Sequence, residues 1–383
     1  MLTEKKLFKY LFLIFFAVLT GYTFLARASF YDEEGLPHRG NSFLSLRVMG
    51  ENLAGDYALF RLLEQKTPAR EAYTPEKIST FLYKKAHVDG SFSSFASPMK
   101  AFIVVPLLNV PYDAFCETWI FLGLLLFGIA LYTLLPLKIT IPLMFAFPAL
   151  FLSFISGGWG IFAAAIVIFA LTLPEEYPKL AGFLGALSVA EPIVFLFICA
   201  VFFVRRQRKA AFFCAGTGIL IFLISLNRYG GSAFSSALIT AWQTLSENPR
   251  RLMSFASVLA CSKMPLAVAL IFQAALTIGV VYYGVRLFLK PECPQTVQDA
   301  YFCAALCLLS PFATLGDYGM LYAGIAFLLR DSMQRGWLKG DFLFLFAAFS
   351  SIYVEAFFSA VAGASIQLFL SMVLLRIAYR RSY

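Results

Sequence analysis

Residues 180–204 read LAGFLGALSVAEPIVFLFICAVFFV, an apolar run interrupted at its centre by Glu191-Pro192. Upstream lies Pro174-Glu175-Glu176-Tyr177-Pro178-Lys179, and downstream Arg205-Arg206-Gln207-Arg208-Lys209, the densest basic cluster in the chain. A single straight crossing would put that cluster outside, against the positive-inside tendency. Pro192 removes a backbone donor and breaks a helix near its middle. The run therefore reads as two half-helices of about 12 residues, each about 18 Å long at helical rise, that enter and return from one side. Their junction carries a carboxylate deep into the bilayer, where an ionisable group is costly and suggests function.

Composition fixes the class. Of 383 residues, 60% are hydrophobic and 14% charged, far from the balance of a soluble domain. The expected fold is an all-α polytopic membrane protein, a bundle of about 11–12 helices in one domain over 1–383. Spans are expected near 9–26, 113–135, 138–156, 159–173, the re-entrant pair at 180–204, 210–227, 264–288, 297–310, 317–330, 340–357 and 363–379. With the amino terminus inside, the basic residues outside the long first loop and its exit fall on the cytoplasmic side, except Arg228, Arg250, Arg251 and Lys263. Membrane orientation thus accounts for the net charge of +9 and leaves no need for a nucleic-acid partner. Both termini are expected in the cytoplasm and the chain in the cell (inner) membrane. Lys5, Lys6 and Lys9 before an apolar stretch resemble a signal peptide, but the stretch is long and reads as an uncleaved first helix.

The polar segment 27–97 is expected to be a structured, helical outer loop. It opens on Asp32-Glu33-Glu34 and mixes charges thereafter, Asp56 among them. Leu46, Met49, Leu53, Tyr57 and Phe60 share one face, which makes 43–65 an amphipathic helix expected to lie flat on the outer membrane surface. The outer connection 228–263 repeats this style, with Tyr229-Gly230-Gly231-Ser232 and Asn248-Pro249-Arg250-Arg251 as breaks. The seven cysteines show neither a disulfide framework nor a metal spacing; Cys303 and Cys307 share a helical face and read as packing residues, so no metal or cofactor is expected.

A bundle with re-entrant helices and a long outer loop suits a membrane-embedded transferase whose donor is held in lipid by its tail. There is no Gly-rich phosphate loop and no Asp-x-Asp motif of the kind that serves a soluble nucleotide sugar. Local patterns then resemble glycosyltransferase family 87, the polyprenol-phosphate-mannose-type enzymes of the GT-C superfamily. They run from about residue 35 to 331. Gly35-Leu36-Pro37 through Leu53-Ala54-Gly55 is similar to the opening of the family's first loop. Phe95 to Pro106, then Val110-Pro111-Tyr112, is similar to its YPP-like segment. Pro148 to Gly160, Leu180-Ala181-Gly182 with Glu191-Pro192, and Leu309-Ser310-Pro311 with Asp317-Tyr318 continue the series.

The resemblance implies transfer of a sugar, a mannose-like hexose, from a polyprenyl-phosphate carrier to a glycan or glycolipid acceptor at the outer membrane face. It aligns the family's first-loop catalytic Asp near Ser42, and puts Glu191 where relatives carry Lys before the hairpin Pro. Asp32, Glu33 or Glu34 then becomes the candidate base, and Ser42, Lys100, Glu191, Arg250, Arg251 and Asp317 the substrate contacts. Each has a plainer reading as well. The acidic triplet can be a solvated run, the arginines can snorkel to lipid headgroups, and Asp317 can cap a helix. A transporter or flippase also builds its site from broken helices, and a non-catalytic relative remains a third possibility.

Overall fold

The computed structural model describes residues 51–86, 88, 90–146, 159–341, 345 and 360–383. The described chain is helical, with no strand among those residues. After α1 (Glu51–Glu64) and α2 (Pro75–Ala86) come α3 (Tyr112–Leu134), α4 (Leu137–Ala146) and α5 (Gly160–Thr172). The central break separates α6 (Pro178–Leu187) from α7 (Pro192–Val204), and α8 (Arg208–Glu247) follows. The remainder is α9 (Phe255–Cys261), α10 (Leu266–Phe288), α11 (Gln295–Leu309), α12 (Gly319–Arg335) and α13 (Ala360–Arg381). The spans expected at 9–26 and, almost entirely, 340–357 lie outside the described residues.

Helices α5, α11 and α12 form the inner layer. Their apolar side chains are buried nearly all round, as expected of helices hydrophobic on every face. Helices α3, α8 and α10 form an outer layer and are long and apolar enough to cross a membrane. They leave Phe121, Ile271 and Ile278 two-thirds exposed or more. Apolar surface of this extent is what a lipid-facing helix presents.

Hydrophobic burial does little to join helices inside lipid, so close backbone approach takes its place. At the start of α12, Gly319 lies against Gly160 at the start of α5; a Cβ there would sit 2.4 Å from the Gly160 carbonyl. Only glycine permits that crossing, and it pins two helix starts together.

The break at Glu191 folds the chain back. Gly185 of α6 lies against Ile198 and Phe202 of α7, which collinear helices would hold about 20 Å apart. Helix α7 then runs antiparallel to α8: Cys199 Sγ lies 3.5 Å from Cys214 Sγ, and Phe195 lies against Gly218. A 3-10 turn, Ser188–Ala190, ends the rising arm, Glu191 is extended, and Pro192 starts the returning one. Pro at the first helical position gives up a hydrogen bond that position lacks anyway.

Charged groups gather at two faces. At one, Arg381 is buried between Asp331 (2.6 Å) and Asp341 (2.7 Å), Arg335 joins Asp331, and Arg205 pairs with Asp299 at 2.6 Å. The Arg205–Asp299 pair draws one member of the basic cluster inward, onto the start of α11. At the other face, Arg228 pairs with Glu64, and the Tyr229 hydroxyl donates to Glu64 Oε1 at 2.6 Å. Helix α8 bends beside them at Gly230, whose φ is 74°.

One expectation is corrected. Helix α1 does not offer one apolar face to a surface. Leu53, Ala54, Tyr57, Ala58, Leu59 and Phe60 are all buried, on every side of the helix. The first loop therefore contributes to the protein core.

Breaking a buried ion pair leaves its partner uncompensated, at a cost of about 3–5 kcal/mol. Arg381→Ala should lower stability by about that much, whereas Lys209→Ala, exposed on α8, should change it by less than about 0.5 kcal/mol. Thermal melting of the detergent-solubilised protein, followed by size exclusion, measures both.

Candidate functional site

Four helix ends and one loop converge on Lys100. The loop 91–97 passes so close to α1 that a Cβ on Gly55 would sit 2.6 Å from the Ser93 carbonyl oxygen. That approach brings Ser94 beside Asp56. The loop then enters a 3-10 turn, Pro98–Lys100, where the Ser97 hydroxyl accepts from the Met99 amide. This turn packs on the Ser188–Ala190 turn that precedes Glu191. The start of α5 brings Trp159, and the turn before α12 brings Asp317.

At the centre, Lys100 Nζ donates to Asp56 Oδ2 at 2.5 Å, and Ser94 Oγ donates to Asp56 Oδ1 at 2.6 Å. Both Asp56 and Lys100 are only 7% exposed. A lysine and an aspartate are almost never this buried unless paired. The ammonium also faces the Trp159 ring, 5.8 Å from its centroid. Lys100 interacts electrostatically with Glu191 and Asp317 as well as Asp56.

Asp317 has its own support: its Oδ2 accepts from the Thr314 amide at 2.6 Å and the Thr314 hydroxyl at 3.0 Å. It thus closes the turn that leads into α12, although Tyr318, not Asp317, stands at the N-cap of that helix. Glu191 differs. It is the residue before the first turn of α7, yet its carboxylate accepts no capping hydrogen bond. Among the described residues its carboxylate makes neither a hydrogen bond nor an ion pair, although its backbone bonds to Ser188 and Phe195. Glu191 and Asp317 are both half-buried.

An aromatic column connects this centre to α1. Tyr57 packs on Phe115 (5.0 Å between centroids), Phe115 on Trp119 (6.0 Å), and Trp119 on Trp159 (6.0 Å). Such ring pairs fix relative positions as well as burying area. The column holds Asp56, one residue before Tyr57, in register with Trp159.

Of the residues expected from sequence, Lys100, Glu191 and Asp317 come together. Arg251 clamps the loop that leads to Lys100, through Ser93 Oγ (2.6 Å) and the Ser91 carbonyl (3.2 Å). Arg250 is exposed and forms no ion pair among the described residues. Asp32, Glu33, Glu34 and Ser42 lie outside the described residues. Asp56 is the residue that reasoning from the sequence counted only as one loop charge. Its signal was present: a lone acid among Leu53, Ala54, Tyr57 and Phe60 needs a partner, and Lys100 is a lone base between Met99 and Ala101.

The fold and the site together define a helical membrane protein with a buried polar centre built from helix ends and an ordered loop. The sequence profile of glycosyltransferase family 87 matches residues 97–311, more than half the chain, and the chain belongs to that family. The match starts at the turn that carries Lys100 and includes the Glu191 break. No curated protein and no solved structure matches it.

Asp56→Asn or Lys100→Met alone should cost about 3–5 kcal/mol, and the double variant should recover at least half of the summed loss, because neither charge is then left alone. A double-mutant cycle on thermal stability checks this. Beside the bend at Gly230, burial opposes the charge on Glu64, but hydrogen bonds from Arg228 and Tyr229, with the Arg228 charge, hold it below the ordinary 4.5. That anchor is complete above pH 4.5 and is lost as pH falls through the lowered value. Proteolysis of the 228–263 connection should therefore stay slow down to pH 4.5 and accelerate below it, a transition absent in Glu64→Gln.

Proposed function

We propose that the protein transfers a sugar, a mannose-like hexose, from a polyprenyl-phosphate carrier to a glycan or glycolipid acceptor, at the outer face of the cell (inner) membrane. The buried Asp56–Lys100 pair carries this reading: it joins a carboxylate to a cation where an outer loop meets broken helices, within a chain of a glycosyltransferase family. The α6–α7 hairpin enters the bilayer from the cytoplasmic side and returns, both termini are cytoplasmic, and the whole chain forms one GT-C-like transferase domain. Helix α7, with 13 residues, is about 20 Å long, whereas α3, with 23, is about 35 Å. The hairpin tip therefore lies below the outer edge of the bilayer, within reach of a lipid-held phosphate.

In the reaction we assign, the donor phosphate takes up the Lys100 ammonium and so releases Asp56 from its ion pair. Asp56 then accepts the proton of the acceptor hydroxyl. The hydroxyl oxygen forms its bond to the anomeric carbon as the carbon–oxygen bond to the phosphate breaks. Both electrons leave with the polyprenyl phosphate, whose charge Lys100 offsets. One base and one displacement invert the anomeric centre. Arg250 and Arg251 contribute positive charge at the outer entrance. Asp32, Glu33 and Glu34 are the alternative bases, with Ser42 as a substrate contact.

Membranes containing the protein, incubated with a radiolabelled polyprenyl-phosphate hexose, should move label into lipid or glycan. General-base catalysis contributes roughly 10²–10⁴-fold, so Asp56→Asn should lose about that much, while Asp32→Asn, Glu33→Gln and Glu34→Gln stay near wild type. Full activity in Asp56→Asn, with loss in one of the other three, would move the base into the triplet. Counterflow of a solute in liposomes, without transfer from any such donor, would favour a transporter.

A further inference from the structure

The charges around Lys100 do not balance. Asp56 is matched by the Lys100 ammonium, and Asp317 by two donors of Thr314 at the start of a helix. Glu191 has no comparable partner. Its position before α7 offers at most a favourable helix end, and no first-turn amide reaches its carboxylate. A carboxylate removed from bulk water and left uncompensated is strongly disfavoured.

A second observation points to a missing ligand at the same place. Trp159 is 3% exposed, its ring faces the Lys100 ammonium, and its indole N–H has no acceptor among the described residues. Buried donors are nearly always satisfied, so this N–H calls for an oxygen that the described residues do not supply. A sugar hydroxyl provides one. Glu191 is neutralised at such a position by a proton or by a cation.

We propose that one of the two substrates carries a primary ammonium, and that Glu191 is the specificity residue that receives it. This rests on the glycosyltransferase reading and adds the substrate's chemical class. A phosphate donor brings negative charge into a centre that holds three acidic side chains and one lysine. An ammonium on the transferred sugar or on the acceptor offsets that excess, and Glu191 gives it a direct charge-assisted contact. The arrangement also discriminates. A substrate with a hydroxyl in place of the amine can still donate a hydrogen bond to Glu191 but leaves it without a counter-charge, a weaker contact.

The experiment blocks the amine on each substrate in turn. Wild-type protein is assayed with polyprenyl-phosphate hexose, with the corresponding 2-amino-2-deoxyhexose and 4-amino-4-deoxyhexose donors, and with their N-acetyl forms. Host membrane lipids serve as acceptors, before and after N-acetylation with acetic anhydride. Blocking the amine on one of the two substrates should lower kcat/KM at least about tenfold, the scale of one lost charged contact, and the sensitive arm identifies donor or acceptor. Glu191→Gln should show a similar loss on the amine-bearing substrate and little further response to blocking. Transfer that proceeds equally well with neutral donors and fully N-acetylated acceptors overturns the inference and leaves the transferase reading intact. A proton on Glu191 would balance the charge in that way. No transfer from any donor to either acceptor overturns the transferase reading itself. The wild-type arms decide the matter even where Glu191→Gln fails to fold.

Discussion

The buried contact between Lys100 and Asp56 is the constraint around which the rest of the site is arranged. An ion pair at this depth survives only with close geometry and further hydrogen bonds, and Ser94 supplies one to the second oxygen of Asp56. For that to happen, α1 must lie close to the loop 91–97, which the glycine at position 55 permits. The turn holding Lys100 must then meet the turn before Glu191. Helix α1 and the turn that meets the Glu191 break are therefore tied together by one pair of charges. Either partner alone would be an expensive defect in an apolar bundle.

Helix ends supply the remaining polar groups. In a low-dielectric bundle, backbone groups are satisfied along a helix and become available where it stops. Trp159 precedes α5, Glu191 precedes α7, and Asp317 precedes α12. The contact of Gly160 with Gly319 holds two of these starts side by side. Short inner helices bring the polar centre inside, and the long helices α3, α8 and α10 face outward with their apolar side chains. One architecture thus combines a hydrophobic exterior with a charged interior.

Much of this arrangement was legible in the sequence, for identifiable reasons. The Glu191-Pro192 break combines a residue that cannot continue a helix with charge clusters that constrain both ends, and the chain does fold back there. The span expected at 264–288 corresponds to Leu266–Phe288, and that at 113–135 to Tyr112–Leu134, because uninterrupted apolar runs leave little choice of boundary. The bend at Gly230 falls where Tyr229-Gly230-Gly231-Ser232 marks a change of direction. Asp56 and the interior position of α1 were missed. Apolar residues on one face suggested an amphipathic helix, whereas Ala58, Leu59 and Leu62 bury the other sides as well. Which charge meets which is a long-range property. Asp56 and Lys100 are 44 positions apart, and nothing local joins them.

The central claim is that this pair is where donor phosphate and acceptor hydroxyl meet. The most direct test is a cryo-EM structure of the protein bound to a non-transferable polyprenyl-phosphate sugar. The account predicts a phosphate oxygen within hydrogen-bonding distance of Lys100 Nζ, with the anomeric carbon facing Asp56 and the sugar between Glu191 and Trp159. A donor seated elsewhere, with the Lys100–Asp56 contact intact and out of its reach, would contradict it.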